Sequence, residues 1–133
     1  MQKKNHSAFE LGDEMHQVYR KNLNLTVAVD KNRIRGIKKI LEKKKKKIII
    51  LDDGYQHRSV KRDLNILVTE YNLLYVEDLL FPLGKLREYK SASKRADLIV
   101  VTKCPKNISE KKKETIKRKL SHNNQKIFFS YIK

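Results

Sequence analysis

Two adjacent carboxylates, Asp52 and Asp53, follow the apolar residues Ile48, Ile49, Ile50 and Leu51 and are themselves followed by Gly54. The apolar run, β-branched except at its last position, suits a short strand buried on both faces, the kind that parallel sheets use. Open α/β sheets bind their ligands at the carboxyl ends of such strands, and a glycine there lets the chain turn sharply away. In a nucleotide-binding fold an acid at that point holds Mg²⁺ against phosphates, because a hard cation prefers oxygen ligands. The segment reads as a Walker-B-like strand. Read as ordinary turn chemistry, the same Asp-Asp-Gly would only bend the backbone.

Other elements must position those acids. Met15, Val18 and Tyr19 share one helical face, which predicts a helix over residues 13–21 with Gly12 and Asp13 at its start. Residues 25–29 (Leu-Thr-Val-Ala-Val) read as a strand ending at Asp30, and Ile34, Ile37, Ile40 and Leu41 then recur at helical spacing. Strand, helix and the Ile48 strand together predict a βαβ unit over residues 25–51, with the lysines at 43–47 as its exposed return. Further strands are expected over residues 64–68, 98–101 and 127–132. Ser109 is expected to cap a basic helix reaching Leu120. Between the strands, Leu79, Leu80, Phe81 and Leu83 surround Pro82 and Gly84 in a loop, where they serve either as a plug in the core or as a surface that meets acyl chains. The plug is favoured, because apolar residues in a long loop fold back onto the domain.

The chain has 133 residues, 39% of them hydrophobic, enough for one domain with a modest core. Its formal charge of +17 predicts attraction to polyanions, whether nucleic acid, anionic lipid or phosphorylated substrate. Lysine runs are also ordinary solvated helix faces. A lone cysteine, Cys104, excludes an intrachain disulfide and suits a reducing compartment. No apolar run is long enough to span a bilayer, and residues 1–6 lead into no hydrophobic signal region.

The string from Asp52 to Arg58 (Asp-Asp-Gly-Tyr-Gln-His-Arg), continued by Lys61, Arg62, Asp63 and Leu64, resembles the Asp-Asp-Gly-Phe/Tyr-Gln-His motif of the tetraacyldisaccharide 4'-kinases, the lipid A 4'-kinases of Gram-negative bacteria. Gly12-Asp13-Glu14 matches a Gly-Asp-Glu motif that this family carries at a helix start. Asp30-Lys31-Asn32-Arg33 resembles its Asp-x-Arg with one residue more, and residues 81–88 resemble its Leu-Pro-x-Gly-x-Leu-Arg-Glu segment with Phe81 in place of the first Leu.

The resemblance implies an α/β fold, a partial P-loop-NTPase-like, mostly parallel sheet with flanking helices. Residues 1–133 would form a single incomplete domain, a fragment of the kinase core. It implies transfer of the γ-phosphate of ATP, with Mg²⁺, to the 4'-hydroxyl of a tetraacyldisaccharide 1-phosphate. Asp13 would be the catalytic base; Glu14 and Asp53 would be metal-associated acids. Asp52, Gln56 and His57 would support the metal or meet the substrate, with Arg33 and Arg87 as substrate contacts. His6, His16 and His122 read as surface residues.

None of the glycines, Gly12, Gly36, Gly54 and Gly84, lies in a P-loop; Gly84-Lys85 is followed by Leu86 rather than Ser or Thr. The family's P-loop and amino-terminal membrane-associating helix would precede Met1, and its carboxyl-terminal lobe would follow Lys133. The chain alone is therefore expected to be inactive. The family would place the protein in the cytoplasm, peripheral at the cytoplasmic face of the inner membrane and against an anionic surface. A basic nucleic-acid-binding module is the alternative from charge, with no RNA-binding aromatic pattern, helix-turn-helix signature or zinc ligands to support it. A non-functional remnant is the other.

Overall fold

Ile99 and Val101 sit two apart in one strand, project to the same side, and are fully enclosed. Around them the computed structural model, which describes residues 13–22, 24–43, 48–121 and 125–132, builds a parallel sheet. The chain comprises two compact units, Met1–Val60 and Lys61–Lys133.

In the second unit, β1 (Ile66–Glu70), β2 (Leu98–Thr102) and β3 (Lys126–Phe129) lie side by side in that order. Both pairings are parallel, with Val68 opposite Val100 and Val100 opposite Phe128. Parallel neighbours need a crossover, and α3 (Glu110–Leu120) supplies it between β2 and β3. Ser109 caps α3 as its sequence predicts, accepting a bond from the Lys112 amide at 3.3 Å. Ile116 and Leu120, one helical turn apart, join Ile99 and Val101 in the core, together with Leu74, Tyr75, Ala96 and Cys104. Each fully buried aliphatic side chain contributes about 1.5–3 kcal/mol.

Polar bonds tie the connections to this core. Thr69, buried at the end of β1, accepts from the Tyr75 amide at 2.8 Å, and the Tyr75 hydroxyl donates to the Leu120 carbonyl at 3.3 Å. A 3₁₀ helix (Lys90–Arg95) leads into β2. The Gln125 side-chain amide donates to the carbonyls of Ser93 at 2.8 Å and Ala96 at 2.6 Å, so the end of that turn is fastened to the start of β3.

The strands differ from expectation at their margins and on one face. β1 starts two residues later than expected, and β3 ends at Phe129 rather than 132. The sheet buries one face only: Ile66, Val68 and Phe128 are exposed on the other. A continuous apolar run signals what a strand can bury, and actual burial depends on what lies over each face.

In the first unit, α1 (Asp13–Lys21) coincides with the expected helix, and α2 (Arg33–Lys43) follows the apolar spacing of Ile34, Ile37, Ile40 and Leu41. The βαβ unit over residues 25–51 does not form among the described residues. Residues 25–29 and 48–51 join no ladder, and Ile48 and Ile50 are 79% and 85% exposed. A parallel strand exists only through bonds to flanking strands, and the described part of this unit offers none. Gly12, the lysines at 44–47, His6 and His122 lie outside the described residues.

The loop containing Pro82 also departs from expectation. It is no core plug: Phe81 and Leu83 are 77% and 84% exposed, and Leu79 is exposed beside them. The loop closes through its own backbone instead, so it does not need the core to hold its shape. Among the described residues no helix is long and apolar enough to cross a membrane.

Candidate active site

Asp52 and Asp53 occupy a turn directly after the Ile48–Leu51 stretch, and both are exposed. Asp53 has φ +44°, in the left-handed region that Asp tolerates better than most residues. The glycine behind it is required by packing. A Cβ on Gly54 would lie 2.6 Å from Leu51 Cγ, so Gly54 tucks under Leu51 while the two carboxylates face outward. The turn continues with the His57 amide donating to the Gly54 carbonyl at 3.0 Å and the Val60 amide to the His57 carbonyl at 3.2 Å. Asp52, Asp53, Gln56 and His57 thus share one compact series of turns. His57 is half-buried and Gln56 exposed.

A second cluster surrounds Asp30. Its carboxylate accepts from Arg35 Nε at 2.9 Å, from Arg35 Nη2 at 2.6 Å and from the Asn32 amide at 2.8 Å. The Arg35 guanidinium, with the Asn32 amide, holds the Asp30 carboxyl at about 2, below its ordinary 3.8. Asn32 caps α2 by accepting from the Arg35 amide at 3.0 Å. Gly36 permits the approach, since a Cβ there would come within 3.1 Å of Asp30 Cβ. Arg33, half-buried, donates to the Asp30 backbone carbonyl. Sequence reasoning singled out Arg33 and passed over Arg35. The available signal was an Asp just before a helix cap with an arginine one turn in.

Asp13 opens α1, with Glu14 exposed next to it. His16 is half-buried. Arg87, exposed, belongs to the second unit, where its neighbour Glu88 pairs with Arg95 Nη2 at 2.9 Å. Among the described residues no three His, Cys, Asp or Glu side chains converge as a metal cage. Mg²⁺ is held by one or two carboxylates and completes its shell with waters and phosphate oxygens, so the donor chemistry of Glu14 and Asp53 suits it without such a cage.

The family model described as tetraacyldisaccharide-1-P 4'-kinase matches residues 1–130. The chain belongs to this family. A tetraacyldisaccharide 4'-kinase of Flavobacterium johnsoniae is 49% identical over 130 residues, covering 96% of this chain and 38% of that relative. One from Flavobacterium psychrophilum is 49% identical over 126 residues, covering 92% and 37%. One from Porphyromonas gingivalis is 43% identical over 128 residues, covering 93% and 36%. The chain therefore spans little more than a third of the length of the curated relatives that it matches. No solved structure gives a significant match. The family is named for a 4'-kinase of tetraacyldisaccharide 1-phosphate, and the three-stranded parallel sheet with its helices is the α/β architecture expected of this chain.

Proposed function

We propose that this chain is the central part of an ATP-dependent kinase, a single incomplete α/β domain that phosphorylates the 4'-hydroxyl of a tetraacyldisaccharide 1-phosphate when the rest of the enzyme is present. The observation that carries the reading is the 49% identity over 130 residues with a relative of that name. The Gly12-Asp13-Glu14 motif and the stretch from Asp52 to His57 are the parts of the sequence able to do the chemistry.

Asp13 takes the proton from the 4'-hydroxyl as that oxygen attacks the γ-phosphorus in line, the role of a positioned general base. Glu14 and Asp53 would hold Mg²⁺, which when bound neutralises charge on the transferring phosphate. The turn at Asp52 and Asp53 leaves both carboxylates exposed while Gly54 is buried, so they are presented toward solvent and ligand. Asp52, Gln56 and His57 brace that turn or meet the sugar, and Arg33 and Arg87 bind anionic groups of the substrate. A lipid substrate and a charge of +17 support a position against an anionic membrane surface, peripheral at the cytoplasmic face of the inner membrane.

The test is a chimera in which residues 1–130 replace the matching stretch of the Flavobacterium johnsoniae relative. Transfer of labelled γ-phosphate from ATP to the tetraacyldisaccharide 1-phosphate is expected of the chimera and not of the isolated chain. A folded chimera that transfers none would refute the reading.

A further inference from the structure

The loop over residues 78–90 holds itself in shape and turns its apolar side chains outward. The Phe81 amide donates to the Leu86 carbonyl at 2.9 Å and the Leu86 amide to the Leu79 carbonyl at 3.0 Å, so the two arms are clamped together. The amides of Leu83 and Gly84 both donate to the Leu80 carbonyl, at 3.0 and 3.1 Å, closing the tip. Asp78 spans the base, accepting from the amides of Leu79 at 2.8 Å and Lys85 at 3.2 Å. Any side chain at Gly84 would collide with the Leu79 carbonyl, so the closure is tight.

A loop so closed has no structural need for Phe81, Leu83 and Tyr89 at its surface, yet all three are strongly exposed. Water disfavours that arrangement, and contiguous exposed apolar residues mark contact surfaces. Their charged neighbours narrow the partner. Lys85 and Lys90 flank the tip and are exposed, the Lys90 ammonium also donating one of its protons to the Val76 carbonyl at 2.6 Å. The nearby acids are engaged elsewhere, Asp78 with backbone amides and Glu88 with Arg95. An apolar tip with a cationic collar matches a bilayer whose headgroups are anionic: the tip enters the acyl boundary and the collar stays at the phosphates.

We infer that the 78–90 loop is a membrane-insertion element, with Phe81 and Leu83 entering the acyl region of an anionic bilayer and Lys85 and Lys90 resting on its headgroups. The inference builds on the membrane placement proposed above, and its test is independent of kinase activity.

The chain contains no tryptophan, so Phe81→Trp creates a sole indole, excited selectively over the tyrosines, at an exposed site. With phosphatidylcholine vesicles containing phosphatidylglycerol, its emission should shift to the blue and be quenched by lipids brominated on their acyl chains. A Tyr131→Trp control should show neither effect. The double variant Phe81→Ser/Leu83→Ser should lose about tenfold or more in vesicle partitioning, since two apolar side chains no longer leave water. Partitioning in which the introduced indole stays open to aqueous quencher, or an unchanged double variant, would mean adsorption by charge alone and would overturn insertion. Absence of partitioning would overturn both the insertion and the membrane placement, leaving the kinase reading to the chimera.

Discussion

Arg35 grips Asp30 with a two-pronged bond, Nε to one carboxylate oxygen at 2.9 Å and Nη2 to the other at 2.6 Å. The pair joins the end of segment 25–29 to the first turn of α2, and Asp30 is well covered while Arg35 stays open to solvent.

Because the folded Asp30 carboxyl titrates at about 2 and the ordinary value is 3.8, its contribution to stability is fully present above the ordinary value. It is lost as pH falls from there towards the folded value. Helical circular dichroism from the first unit should decline over that window, and Asp30→Asn should flatten that part of the acid titration. Glu70 and Glu77, held low by Lys103 and Lys119, should still titrate in the second unit of the variant.

Removing fully enclosed side chains should be costly where the sheet meets its core. Ile99→Ala and Leu120→Ala are each expected to lower stability by about 2–5 kcal/mol in urea titrations, whereas Ile50→Ala, at a strongly exposed position, should stay within about 0.5 kcal/mol. Equal effects at the three sites would contradict the described burial.

Gln125 offers a sharper test of a single polar group. Its amide serves two carbonyls, so Gln125→Leu should cost about 1–3 kcal/mol by stranding both acceptors. Gln125→Glu should be worse at neutral pH, since a carboxylate would face two carbonyl oxygens, and should recover as acid protonates it into a donor. Thermal melts of both variants across pH distinguish this from a packing role, which would leave the Glu variant insensitive to pH.

The two proposed catalytic acids should fail in different ways within the chimera. Asp13→Asn is expected to lower kcat by roughly 10²–10⁴-fold with ATP affinity nearly intact. Asp53→Asn should raise the Mg²⁺ requirement along with the loss of rate. Asn is the right replacement at position 53 because it also accepts positive φ, so charge is removed without straining the turn. Near-normal rates at low Mg²⁺ for the Asp53 variant would reduce the turn to backbone geometry.

Much of this arrangement could be read from local pattern. The bounds of α1, the Ser109 cap and the strand at Leu98 follow from spacing and capping chemistry that act within a few residues. What could not be read depends on partners distant in sequence. The Ile48 run carries the signature of a buried strand, but the signature cannot supply a neighbour, and the described residues contain none for it. Phe81 and Leu83 misled for the related reason that apolarity was equated with burial, whereas the clamped backbone of their loop lets them face outward. At the candidate site the motifs point to the acids and pass over Arg35, whose pairing with Asp30 comes from its position one turn into α2 rather than from any motif.

The single thiol has a practical consequence. Cys104 is buried, its Sγ lies 3.3 Å from the Val101 carbonyl, and burial pushes its pKa up. Thiolate-specific reagents should therefore meet almost no target while β2 is intact, because the thiolate is the reacting form. Each opening of the second unit would expose the only cysteine in the chain, and the first unit has none to contribute background. The protein thus carries its own clock: labelling kinetics under native conditions time the opening of residues 61–133 alone, whatever residues 1–60 are doing.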